Sequence, residues 1–266
     1  MPMSDDARAW QLVLRSVEAD LLSGALSPGD HLPGERALAA ELGVGRSSVR
    51  EALRVLEVLG LVRTATGSGP SSGAIIVSTP RGGMSALLRL QVAASGFDVS
   101  DIVDTRLVLE TAVAATLAEA LADSSDDVDT VALSESDALL NAMDDPALTP
   151  AEFLALDARF HLSLAEAAGN QVIVATMAGL RDSIEGYAVA GVPTLSSWSD
   201  TAARLAKEHR GILDAIRAGD GAAARSAVHG HIAGYYAEIG LGSAPTPANP
   251  APAPAPAPAP TEGPIA

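Results

Sequence analysis

The sequence predicts a mostly α-helical chain in two parts. The first is a set of short helices closed by a β-hairpin, and the second is an all-α helical bundle. Three observations predict this. Apolar residues recur at helical spacing through nearly every long segment from Ala7 to Gly240. Only residues 61–65 and 74–78 read as strands, two β-prone runs around a glycine-rich loop. Hydrophobic residues make up 48% of the 266 but aromatics only 3%, which suits helices packed through alanine and leucine better than a β-sandwich.

The elements follow in order. The first helix runs from about Ala7 to Leu22, with Trp10, Val13, Leu14, Val17 and Leu21 on one side. Residues 23–30 hold two glycines and a proline and read as a loop. A short helix from Glu35 to Leu42 ends at Gly43, and a third, from about Arg46 to Leu59, is closed by Gly60. The hairpin follows, and residues 79–83 look like a linker. The expected bundle helices are 84–95, 99–122, 126–143, 149–168, 170–190, 197–218 and 220–239. Residues 251–260 repeat Ala-Pro, and proline at alternate positions holds neither helix nor sheet, so 244–266 reads as a disordered tail. The domain expectation is therefore 7–79, 84–240 and the tail.

The chain has no cysteine, which removes disulfides and thiolate metal sites and fits a reducing, cytoplasmic setting. Its first residues are acidic and lack the apolar core of a signal peptide. No apolar run approaches the ~18 residues of a membrane span, so no membrane partner is expected. Net charge is −16, yet it is unevenly spread. Residues 1–80 hold 7 Arg against 9 Asp or Glu, a net of −2, and residues 81–266 carry −14. A local basic face can therefore meet phosphates although the chain as a whole is acidic.

That face is in the stretch Leu42–Val62, where Arg46, Arg50 and Arg54 surround Val44, Val49, Leu53 and Leu56. Two short helices about a glycine turn, followed by a hairpin, make a winged helix-turn-helix. The second helix enters the major groove by its N-terminal residues, here Arg46, Ser47, Ser48 and Arg50. Arginine can grip guanine O6 and N7 with two bonds, and serine can bond bases or phosphates. Arg36 is placed to reach the backbone or a base, while Val49, Leu53 and Leu56 face the core. The competing reading is a solvated helix whose arginines pair with Glu51 and Glu57.

A second constellation holds three histidines. Asp157 and His161 are four apart and share a helix face, while His209 and His231 fall on two later helices. These donors suit a divalent ion, with zinc first and manganese or nickel as alternatives. The competing reading is that each is an ordinary core or surface histidine. His229, two residues from His231, should point elsewhere.

Residues 31–54 resemble the GntR family of bacterial transcription regulators. The resemblance implies that Arg36, Arg46, Ser47, Ser48 and Arg50 contact double-stranded operator DNA, with the wing tip at Gly67 to Gly69 near the minor groove. Gly45 stands where the family usually has Ser or Thr, so no hydroxyl is available there. Residues 84–240 are similar to the FCD-type ligand-binding domain of the FadR subfamily in its metal-binding form. Asp157, His161, His209 and His231 match that form's ligands, Arg106 matches an arginine facing the effector, and Asn170 a residue often lining its pocket. Residues 64–76, 143–146, 207–219 and 231–236 are similar to the subfamily's lactate-responsive repressors.

These observations lead to the expectation of a homodimeric, metal-containing repressor on a palindromic operator, released by a small carboxylate such as lactate, and not an enzyme. The alternatives are the same scaffold sensing a sugar acid or dicarboxylate, a regulator that responds to the metal itself, and a metalloenzyme with a nucleic-acid-binding appendage.

Overall fold

The computed structural model describes residues 5–65, 73–77, 82–122 and 133–241. The expected tail, the wing tip with Gly67 and Gly69, Pro80, and residues 126–132 of one expected helix lie outside these.

The N-terminal part is built from α1 (Asp5–Ser23), α2 (Glu35–Leu42), α3 (Arg46–Val58), β1 (Val62–Ala65) and β2 (Gly73–Ile76). Helix α1 packs on α3, burying Val13 and Val17 against Val49, Ala52, Leu53 and Leu56. Trp10, Leu14 and Leu21 cover the edge of this core, as the spacing of α1 predicts. Gly43 ends α2 with φ 65°, a left-handed conformation that leaves two residues before α3 begins. Gly45 caps α3 in extended backbone with no side-chain hydrogen bond.

The hairpin is antiparallel, in the register Val62↔Ile76 and Thr64↔Ala74. Its inner residues Val62, Ala74 and Ile76 join the core of the three helices. The Glu57 carboxylate, in the last turns of α3, accepts from both the amide and the hydroxyl of Thr64. The wing is thus fastened to the helix that precedes it.

The C-terminal part contains α4 (Gly82–Ala93), α5 (Val99–Ala122), α6 (Ser134–Met143), α7 (Pro150–Ala167), α8 (Gln171–Ala190), α9 (Trp198–Arg217) and α10 (Gly221–Glu238). Each of the last four begins where a polar side chain satisfies free amides. Thr149 and Glu152 form a reciprocal capping box at α7, and Asn170, Ser197 and Asp220 accept from the first turns of α8, α9 and α10. Such a cap is worth roughly 1 kcal/mol, and all four were visible as helix starts in the sequence.

Helix α5 packs against α10, α9, α8 and α7, so it is the central helix of the bundle. One core cluster spans α5 to α10, with Phe160, Met177, Leu205, Ile212, Leu213 and Ile216 fully buried. Helix α4 lies along α8, and its first turn reaches back to α3. A Cβ on Gly83 would stand 2.4 Å from the carbonyl oxygen of Leu59, so the two backbones touch where the parts meet. Among the described residues no helix is long and apolar enough to cross a membrane.

Candidate metal centre and nucleic-acid interface

Helix α5 is apolar on most of its length, yet it buries Arg106 and Glu110 at 4% and 2% exposure. Buried charges are costly unless fully paired, and a hydrophobic pair would serve stability as well. Their presence in the centre of the bundle marks a site.

Around that pair the sequence-predicted donors converge. Asp157 and His161 project from one face of α7, His209 from α9 and His231 from α10. One ligand atom from each lies within 4.8 Å of all the others. The Asp157 Oδ1 atom is 2.9 Å from His209 Nε2, 3.2 Å from His231 Nε2 and 3.9 Å from His161 Nε2. The three imidazoles are buried and stand against one another, with His209 and His231 ring centres 4.3 Å apart and His161 and His231 5.0 Å apart. His229 is exposed, away from the cluster, as its spacing predicts.

Proton accounting shows that these residues fit a cation. His161 Nδ1 donates to the Glu110 carboxylate at 2.8 Å. Its Nε2 is then a bare lone pair, and it has no hydrogen-bond partner although buried. It faces the Asp157 oxygen, so two acceptors confront each other across 3.9 Å. His231 Nδ1 lies 3.0 Å from Glu208 and its Nε2 also turns to Asp157. Three imidazole nitrogens and one carboxylate oxygen at such range are the donor set of a structural or catalytic divalent ion, and the carboxylates behind His161 and His231 are the usual second layer, while the buried Nδ1 of His209 has no such partner.

Electrostatics favours the deprotonated form at three of the four donors, Asp157, His161 and His209, and the protonated form at His231. Burial, with Arg181 nearby, pushes His161 down to about 3. Burial, with His231 nearby, pushes His209 down to about 4. Burial also opposes a charge on His231, but its hydrogen bonds to Asp157 and Glu208 outweigh this and raise its pKa. Burial opposes ionised Glu110 and Asp157 too. Arg106, Arg181 and His161 overcome it for Glu110, and hydrogen bonds from His209 and His231 overcome it for Asp157, so both lie well below the ordinary carboxylate range.

Beside the cluster is a small cavity of about 40 Å³, lined by Arg106, Arg181, Asp157, Glu185, His231, Tyr235 and Tyr236 among others. Arg106 lines it as expected, but part of its fork is already used. Its Nε donates to Glu110 at 2.7 Å and its Nη1 to the Tyr236 hydroxyl at 2.7 Å. Arg181 of α8 is the second cation, donating to Glu110 at 2.8 Å and to Asp157 at 3.3 Å. Sequence reasoning missed Arg181, Glu110 and Glu208. A signal existed for two of them: Arg106 and Glu110 are four apart on an apolar helix, and Arg181 interrupts the apolar run of α8. Asn170 does not line the cavity. Its side chain accepts from the amides of Val172 and Ile173, which makes it the cap of α8.

The arginine face stands on α3. Arg46, Ser47 and Arg50 are exposed at its N-terminal end, and Arg36 is exposed on α2. Ser48 is 1% exposed and turns into the domain with Val49, so it does not share this face. The arginines pair neither with Glu51 nor with Glu57 among the described contacts. Glu35 holds them instead, 3.2 Å from Arg50 and 4.0 Å from Arg46. Exposed pairs of this kind are weak, so phosphates or guanine edges can displace Glu35.

Comparison with known proteins points the same way. The chain matches the family model described as "FCD domain" over residues 101–234 and that described as "Bacterial regulatory proteins, gntR family" over residues 11–70. It is 29% identical over 215 residues to the Glc operon transcriptional activator of Escherichia coli (strain K12), spanning 80% of this chain and 82% of that protein. It is 31% identical over 211 residues to the HTH-type transcriptional regulator LutR of Bacillus subtilis (strain 168), spanning 79% and 91%. The solved structure described as Streptococcus agalactiae GntR is similar with a TM-score of 0.59 at 27% identity, covering 84% of this chain and 96% of that one.

Proposed function

Given that this chain belongs to the bacterial gntR family of regulatory proteins, with an FCD domain after its winged helix-turn-helix, and is a transcriptional regulator and not an enzyme, we propose that it is a metal-dependent repressor released from DNA by a small carboxylate. The observation that carries this reading is the adjacency of two things. Four donors converge within 4.8 Å, and the cavity beside them is lined by Arg106 and Arg181. The ion, zinc in the first instance, would be held by Asp157, His161, His209 and His231, and would supply a fixed positive charge with open coordination positions. Arg106 and Arg181 are offset by Glu110 and Asp157, so the ion's charge is what an anion would meet. Lactate is the first candidate, because four stretches of the chain resemble lactate-responsive repressors.

On the DNA side, Arg36, Arg46, Ser47 and Arg50 are the reading residues. Two copies on a palindrome would match the two-fold symmetry of such sites. An effector shifts operator affinity only by binding the two arrangements of the dimer unequally. The route runs from Arg181 along α8 to α4, and from Gly83 of α4 to Leu59 at the end of α3.

The test is operator binding followed by fluorescence anisotropy, with zinc-loaded and chelator-stripped protein titrated separately with zinc, L-lactate, glycolate and a dicarboxylate. Release by L-lactate from zinc-loaded protein alone supports the full reading. Release by another of the acids moves the effector, and release by zinc alone makes the ion the signal. No response to any of them overturns the ligand-controlled reading.

A further inference from the structure

The metal cluster and the anion cavity meet at one side chain, and it belongs to neither set. Glu110 is 2% exposed and accepts from three donors. Oε2 takes His161 Nδ1 at 2.8 Å and Arg181 Nη2 at 2.8 Å, and Oε1 takes Arg106 Nε at 2.7 Å. We propose that Glu110 is a positioning residue that sets both halves of the site, fixing the tautomer of His161 toward the ion and the two arginines toward the anion. This inference rests on the metal and carboxylate reading given above.

The chemistry follows from the acceptor inventory. An ionised carboxylate offers only lone pairs, so the ring nitrogen of His161 facing it must carry the proton. Nε2 is then free to bind a cation. An amide cannot do the same. In one orientation its NH₂ group faces His161 and Arg181, where it reverses the tautomer and repels the guanidinium. In the other it faces Arg106 Nε, a donor that then loses its acceptor. No orientation of a glutamine satisfies all three partners. Stability alone does not call for such an arrangement, because a buried ion network is commonly no more stabilising than apolar packing of the same volume.

Glu208 provides the internal comparison. It stands behind His231 at 3.0 Å, as Glu110 stands behind His161. It is tied to Arg204 at 2.6 Å, at the edge of the bundle, and touches neither Arg106 nor Arg181. The Glu208→Gln variant should therefore weaken the ion alone. The Glu110→Gln variant should weaken the ion and release Arg106 or Arg181 as well.

The experiment uses the full chain, stripped of metal. Long-range ¹H–¹⁵N spectra of the imidazoles read the tautomer directly, before any ion is added. His161 should carry its proton on Nδ1, and the Arg106 Nε–H should be protected from exchange with water. Zinc affinity is then measured against a chromophoric chelator. Losses of roughly 10–100-fold are expected for both Glu110→Gln and Glu208→Gln, the usual effect of removing the carboxylate behind a ligand histidine. Only Glu110→Gln should alter the Nε–H signals of Arg106 and Arg181, since the arginine tied to Glu208 is Arg204. If wild-type protein binds no zinc, the metal reading fails, while the tautomer spectrum still judges the role of Glu110. A His161 proton on Nε2 in the wild type overturns the inference, and that result needs no variant to fold. Wild-type zinc affinity and unchanged arginine signals in a folded Glu110→Gln protein overturn it equally.

Discussion

If the cluster holds a divalent ion as proposed, the ion should stabilise this protein, and replacing Asp157 by alanine should abolish that stabilisation. Asp157 Oδ1 is the atom on which His209, His231 and His161 all converge, at 2.9, 3.2 and 3.9 Å. An ion held by α7, α9 and α10 together can bind only the folded bundle, so it raises stability by mass action. At a free zinc concentration about 100 times the dissociation constant the gain is roughly 2.7 kcal/mol. The bundle from α5 to the end of α10 has about 140 residues, and at ~2.1 cal/mol/K per residue its unfolding entropy is roughly 0.3 kcal/mol/K. The expected rise in melting temperature is therefore about 9 °C in the wild type. In Asp157→Ala one donor and its charge are gone, and Arg181 loses an ion-pair partner at 3.3 Å. The stripped variant should start lower than the stripped wild type, and zinc should move it by no more than about 2 °C at the same concentration. Differential scanning fluorimetry on chelator-treated protein, with and without zinc, reads both numbers. An equal shift in Asp157→Ala and wild type would refute the assignment of this cluster as the metal centre.

Three further outcomes are expected. Arg46→Ala/Arg50→Ala should lose operator affinity without loss of melting temperature, and Arg50→Ala alone should cost roughly 1–3 kcal/mol where it makes a bidentate base contact; unchanged anisotropy in the double variant would remove these residues from the interface. Arg106→Ala and Arg181→Ala should keep zinc and operator binding but lose release by the acid, and release at the wild-type acid concentration would remove the cavity as the effector site. In metal-free protein, stability should rise from pH 5 through pH 6.5 and turn down only above that. Below it, the unfolded chain protonates His161 and His209 while the folded chain holds them neutral to about 3 and about 4, so stability falls with pH by up to about 1.4 kcal/mol per unit for each. Above it, the raised pKa of His231 makes the folded chain the better proton binder, and that contribution is lost as pH rises through the folded value. Urea denaturation at pH 5, 6.5 and 8 checks the curve, and a flat profile between 5 and 6.5 would contradict it.

Local patterns made much of the molecule legible in the sequence. Helix α3 could be placed because Gly43 and Gly60 punctuate it and its apolar positions share one face. The four donors were identified by the i, i+4 pair Asp157 and His161 and by the resemblance for His209 and His231, and the fold brings them together. What stayed hidden depends on long-range partners. Ser48 lies between the exposed Arg46 and Arg50, yet its place around the helix turns it inward. Asn170 carries a cap signal as strong as any pocket signal, and the cap is where its side chain went. Glu110 meets Arg181 across 71 positions and His161 across 51, and no single-sequence period encodes such a meeting.

The junction between the two parts touches through main-chain atoms. A Cβ at position 83 would collide with the carbonyl oxygen, carbonyl carbon and Cα of Leu59, and none of its nearest neighbours is a side-chain atom of residue 59. The steric demand thus falls on the glycine alone and is indifferent to which amino acid ends α3. Reading heads with other base preferences should be interchangeable on this body, provided the glycine is kept. A body with alanine there would have to set its head down in another place, and a chimaera built on it would carry its α3 at a different position on the body.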